Sequence, residues 1–197
     1  ARSDYEAGLR LAREAGDRRR EGNALSNLGL LDLVGQQMQA AQAQFEAALR
    51  IARELGYRRL ECIVLCNLGI AQDAQRNARQ AQSSFEQSLA IACELADHTS
   101  QGQSLGYLGL SHARQGRFDQ GRECLAAGEL LLRDASDPIS LALLQCCRAE
   151  AEILAANPEA ARKAAGAAQD LARSTGAGPD SELGVALTRI GRLFESP

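Results

Sequence analysis

Glu46-Ala47-Ala48-Leu49-Arg50-Ile51-Ala52-Arg53-Glu54 is the stretch on which the fold turns, because the chain says nearly the same thing twice more at one fixed distance. Forty residues earlier stands Glu6-Ala7-Gly8-Leu9-Arg10-Leu11-Ala12-Arg13-Glu14, and forty later Glu86-Gln87-Ser88-Leu89-Ala90-Ile91-Ala92-Cys93-Glu94. The register runs on, with Leu131 and Leu171 continuing the column Leu11, Ile51, Ile91. Tyr5, Phe45, Phe85 and Leu125 form a second column of large apolar residues, and Gly29, Gly69, Gly109 and Ala149 a third of small ones. Three columns at one spacing define an internal repeat, the feature that outranks any local reading.

Inside each period the apolar residues recur at three- and four-residue intervals, the signature of an amphipathic helix. Leu25, Leu28, Leu31 and Asp32 outline one helix face and Phe45, Ala48, Leu49, Ala52 and Leu55 another. Breaks fall between them at Gly35-Gln36-Gln37, Arg76-Asn77 and Gln115-Gly116. Asp137-Pro138 and Asn157-Pro158 pair a capping side chain with a proline suited to the first helical position. The pattern predicts ten helices, over residues 3–15, 18–34, 37–55, 58–75, 78–95, 98–115, 118–134, 138–155, 158–174 and 179–194. The fold class is therefore all-α, built of helix–turn–helix pairs.

Composition agrees. Aromatic residues make up 4% of the chain and tryptophan is absent, which suits neither a sandwich nor a barrel built on large rings. Ala and Leu, both strong helix formers, carry most of the apolar content. A net charge of −3 leaves no basic face of the kind that binds nucleic acid through counterion release, and Arg18-Arg19-Arg20 reads as a solvated helix face. Apolar runs long enough to span a membrane are missing, as is a signal peptide. Lys163 is the sole lysine, an arginine bias suggesting a GC-rich bacterial gene. The six cysteines, Cys62, Cys66, Cys93, Cys124, Cys146 and Cys147, match no disulfide or zinc spacing and read as small packed thiols in a reducing compartment.

The repeat resembles the tetratricopeptide repeat (TPR), whose pattern is Trp-x2-Leu-Gly-x2-Tyr followed by Ala-x3-Phe. The matching residues are Leu25, Leu28, Gly29, Asp32, Ala41 and Phe45, then Leu65, Leu68, Gly69, Gln72, Ala81 and Phe85, then Leu105, Leu108, Gly109, His112, Gly121 and Leu125. A fourth, degenerate copy holds Gln145, Arg148, Ala149, Glu152, Ala161 and Ala165. The period departs from the family's ~34 residues and looks like the forty-residue variant of large signalling scaffolds and bacterial regulatory ATPases and kinases. The resemblance implies a right-handed α-solenoid over residues 1–197. It would comprise a half repeat 1–16, repeats 17–56, 57–96, 97–136 and 137–176, and a C-terminal capping helix in 177–197. The half repeat suggests a fragment of a longer protein. A helix-interior glycine costs ~1 kcal/mol against alanine, so the glycine column implies close helix approach, with Ala41, Ala81, Gly121 and Ala161 as its small partners.

Catalytic signatures are lacking: no phosphate loop, no serine elbow and no zinc-binding helix pair. No cofactor, metal or catalytic residue is expected. The family resemblance instead implies a groove lined by the first helix of each pair, with Asn23, Asn27 and Leu30, then Ile63, Asn67 and Ile70, then Gln103, Tyr107 and Leu110, then Glu150 facing inward. An amide both donates and accepts, so Asn27 and Asn67, equivalent by the forty-residue shift, suit the backbone of an extended peptide. The arginines and lysines of the carboxylate-clamp subclass do not occupy these positions. The expected partner is thus a protein or peptide, with neither nucleic acid nor membrane involved, in the cytoplasm. Self-association through exposed terminal helices, or service as an internal arm on an ATPase or kinase domain, is the alternative.

Overall fold

The computed structural model describes residues 2–195, and among these residues it has ten helices and no strand. They fall into two compact units, the first ending at Leu95 and the second beginning at Ala96.

The first unit comprises α1 (Arg2–Glu14), α2 (Arg18–Val34), α3 (Met38–Glu54), α4 (Arg58–Ala74) and α5 (Ala78–Glu94). From α2 onward each helix is 17 residues long and the connections hold three residues, so the forty-residue period is two near-identical twenty-residue steps. The residues added over the shorter family period lengthen the helices; the connections stay minimal. Each helix ends in one αL residue, at Gly16, Gln36, Gly56 and Arg76. The next N–H folds back in a Schellman closure: Asp17 N bonds Ala12 O at 2.8 Å, Gln37 N bonds Asp32 O at 2.8 Å and Tyr57 N bonds Ala52 O at 2.8 Å.

α2 and α4 are sandwiched elements, buried nearly all round. At Gly29 a Cβ would stand 2.6 Å from Phe45 Cε1, and at Gly69 2.5 Å from Phe85 Cε1. The small column therefore receives the rings of the large column, where the sequence suggested small partners in backbone contact. Ala41 and Ala81 are fully buried alongside. Two ion networks repeat with the period. Glu21, buried, accepts from Arg13 (2.9 Å) and Arg18 (2.7 Å), and Arg18 also reaches Glu54; Glu61 accepts from Arg53 (3.0 Å) and Arg58 (2.7 Å), and Arg58 pairs with Glu94. Arg13, opposed by burial and helped by Arg18, holds the Glu21 carboxyl below its ordinary value.

The second unit comprises α6 (His98–Arg114), α7 (Phe118–Asp134), α8 (Pro138–Leu154), α9 (Pro158–Thr175) and α10 (Glu182–Glu195). Asp97, Asp137 and Asn157 cap α6, α8 and α9 by accepting from the N–H groups of Ser100, Ser140 and Ala160. Here backbones do meet: a Cβ at Gly109 would lie 2.8 Å from Gly121 O, and one at Gly121 the same distance from Gly109 O. The degenerate fourth copy trades volumes, setting Ala149 and Ala165 together in the core where other copies pair glycine with phenylalanine or leucine.

α10 begins at Glu182, later than the proline at 179 suggested. Ser181 is the cap, its hydroxyl accepting from Gly184 N at 3.1 Å, and a Cβ at Gly184 would come within 2.5 Å of Pro179 O. Pro179 thus belongs to the turn that feeds the helix.

The αL position is filled by glycine at some connections and by Gln36, Arg76, Ala96, Ser136 and Ala156 at others. A non-glycine residue there costs ~1–2 kcal/mol, partly offset because glycine loses more entropy on folding. Ala156→Gly is expected to raise stability by about 0.5–1 kcal/mol, since the Ala156 side chain is exposed and loses no packing. A thermal melt decides it, and a lowered midpoint would show that the turn conformation is not strained.

Candidate functional site

In the first unit α2 is buried at Glu21, Gly22, Ala24, Leu25, Ser26, Leu28, Gly29, Asp32 and Leu33, leaving a narrow stripe to solvent along Asn23, Asn27 and Leu30. α4 repeats this with Ile63, Asn67 and Ile70. Spacings of four and three residues put each set on one helix face. Asn23 and Ile63 are exposed, while Asn27, Leu30, Asn67 and Ile70 are half-buried. Leu30 and Ile70 rest on the unit's core as partly covered apolar residues. α2 and α4 scarcely touch each other, so the two stripes lie open side by side.

Polar groups on this face keep their capacity. Among the described residues none hydrogen-bonds to the side-chain amides of Asn23, Asn27 or Asn67. Neighbouring polar groups are paired differently: Gln75 donates to Gln42 at 2.7 Å, Ser84 donates to Gln72 at 2.8 Å, and Arg2 holds Asp32 at 2.6 Å. Near the start of α2, Arg19 stacks 4.4 Å from the centroid of Tyr57. Half-buried amides with open valences between apolar residues suit a main chain lying across them.

The second unit treats the equivalent positions otherwise. Gln103 donates to Ser140 Oγ at 2.7 Å. The Tyr107 hydroxyl donates to Glu182 of α10 at 3.0 Å. Leu110 is 3% exposed and joins Leu144 and Cys147 in a core cluster, so it is interior packing where an exposed apolar floor was expected. Glu150, 7% exposed, pairs with Arg114 and, at 3.0 Å, with Arg189 of α10. α6 and α8 pack closely, Gly106 facing Leu144. The six predicted residues of the first unit share an open surface, and the four of the second are engaged by their own unit.

Cys62, Cys66, Cys146 and Cys147 are buried and fit packing roles, whereas Cys124 is half-buried and Cys93 is exposed, so the reading of all six as packed thiols fails at Cys93. Cys62 gives its thiol to the Ser88 carbonyl at 3.4 Å, while Ser88 Oγ donates to the Cys62 carbonyl at 2.9 Å. Burial pushes the Cys146 and Cys147 thiols up to about 12, the region of unreactive thiols. Among the described residues no three His, Cys, Asp or Glu side chains gather to hold a metal ion, and no helix is long and apolar enough to cross a membrane.

The sequence pattern described as Tetratricopeptide repeat matches residues 20–94. No curated protein shows significant sequence similarity to the chain. Among solved structures it is similar to BtubC (BKLC) from P. vanneervenii, at 17% identity and a TM-score of 0.69 over 89% of this chain and 73% of that one. It is also similar to aspartyl phosphate phosphatase F from Bacillus subtilis, at 16% identity and a TM-score of 0.65 over 91% of this chain, which spans 50% of that protein's length. At such identities the likeness is one of fold. Residues 20–94 thus match the tetratricopeptide-repeat pattern, and the chain has an all-α helical-repeat fold.

Proposed function

We propose that the chain is a protein–protein interaction module that holds an extended segment of a partner polypeptide along the open stripes of α2 and α4. The observation that carries this reading is the pair Asn27 and Asn67, one period apart, half-buried and with unbonded amides. In this reading their amides bond the partner's backbone, Asn23 extends the polar row, and Leu30, Ile63 and Ile70 take apolar side chains. Recognition of this kind is tolerant of partner sequence, because the amides address groups every residue carries. Gln103, Tyr107, Leu110 and Glu150 would join the surface only after the second unit rearranged. Such a module fits a bacterial, cytoplasmic regulatory or signalling protein, with no chemistry of its own.

The test pairs a binding assay with a stability assay. A peptide selected from a random library on the wild-type chain is titrated by calorimetry against Asn27→Ala/Asn67→Ala. Loss of two amide contacts at ~1–1.5 kcal/mol each predicts binding weakened about 30- to 150-fold. Stability should hold or rise, because alanine is the better helix former. Undiminished binding would remove the asparagines from the site.

A second reading, self-association, rests on α1. Leu11 is 65% exposed, whereas Ile51 and Ile91 in the same column are buried. Tyr5 on the same helix is also exposed. Sedimentation across a concentration series separates the readings, since a monomer at all concentrations excludes this one.

A further inference from the structure

α10 is tied to the second unit unlike any other helix. It hangs on a six-residue link, residues 176–181, where the connections before it hold three. The link begins with Gly176 in the αL region, continues through Gly178 and Pro179, and borders an open cleft lined by Gln169, Ala172, Arg173, Ala177 and Leu187. The helix docks by an apolar stripe and two polar contacts. Leu183 and Ile190 are buried, at 1% and 2% exposure, against Ala142, Cys146 and Ala149 of α8 and the alanines of α9. Glu182 then reaches past α8 to accept from the Tyr107 hydroxyl of α6, and Arg189 pairs with Glu150 of α8. Both contact positions, the donor Tyr107 and the carboxylate Glu150, are among those the family resemblance sets facing a ligand. A helix that merely continued the stack would seal α8 and α9 without touching α6.

We propose that this face of the second unit is a binding site for an amphipathic helix of a partner protein, and that α10 occupies it as a tethered internal competitor. The recognised pattern is written in α10: a carboxylate for Tyr107, apolar residues one, five and eight places on (Leu183, Leu187, Ile190), and an arginine seven places on for Glu150. Arg114, which also holds Glu150, fixes that carboxylate in place when α10 leaves. The inference is independent of the peptide reading of the first unit, since it uses residues of the second unit alone and another ligand shape.

The experiment uses the whole chain with a site-specific protease sequence inserted between Ala177 and Gly178, and a fluorescent peptide copying residues 180–195 as the probe. In the intact chain the tethered α10 acts at millimolar effective concentration. Cleavage is expected to strengthen probe binding about tenfold or more, with the helical circular-dichroism signal retained. A probe carrying Arg189→Glu should lose most of its affinity, by like-charge contact with Glu150. Equal binding before and after cleavage, collapse of the cleaved chain, or indifference to the charge reversal would each overturn the proposal. A doubled mass for the intact chain with the probe excluded throughout would assign the face to a second copy, and would overturn it as well.

Discussion

Gly69→Leu is expected to lower stability by about 3 kcal/mol or more. A single Cβ at this position would already stand 2.5, 2.7 and 2.9 Å from three atoms of the Phe85 ring. That ring is 1% exposed, enclosed on all sides, and has no free end to swing away. The three further carbons of leucine must therefore part α4 from α5. Because repeat arrays draw stability from each neighbour contact, the loss should appear first as faster amide exchange in those two helices. A melt matching the parent's would mean the glycine column is not a packing device.

Leu132→Ala should cost about 3–4 kcal/mol. Leu132 is fully buried on α7, and a Cβ at Gly102 would lie 2.5 Å from its Cγ. Truncation leaves a cavity lined by packed backbone that cannot collapse, so both the transfer and the cavity contributions are lost. A cycle makes the test specific. Gly102→Ala destabilises the parent through that clash, but in the Leu132→Ala background its methyl group enters the vacated space. The double variant is therefore expected to be more stable than the sum of the singles by about 1–2 kcal/mol, read from urea midpoints. Strict additivity would show that Gly102 and Leu132 do not share a contact.

Most of the fold was legible because it is periodic. A residue that recurs at forty announces its environment, so Phe45 and Phe85 or Gly29 and Gly69 mark core positions without coordinates. The finer twenty-residue step was hidden: its turns need one αL residue, and Gln36, Arg76, Ser136 and Ala156 give no signal of that conformation. The ion networks around Glu21 and Glu61 could have been found, since Arg13, Arg18, Glu21 and Glu54 all recur one period later as Arg53, Arg58, Glu61 and Glu94. What periodicity could not supply was the fate of the second unit's residues that were expected to face a ligand. Tyr107 and Glu150 are engaged by Glu182 and Arg189, which lie outside the repeats and have no counterpart whose role could be transferred. Gly106 and Leu144, by drawing α6 against α8, buried Leu110 where Leu30 and Ile70 stay half open.

An amide-resolved nuclear magnetic resonance titration of the chain with a library-selected peptide tests the central claim most directly. The account predicts shifts at the side-chain amides of Asn23, Asn27 and Asn67 and the methyl groups of Leu30, Ile63 and Ile70, with α3 and α5 unmoved. Shifts confined to α3 and α5, with those asparagines silent, would contradict it.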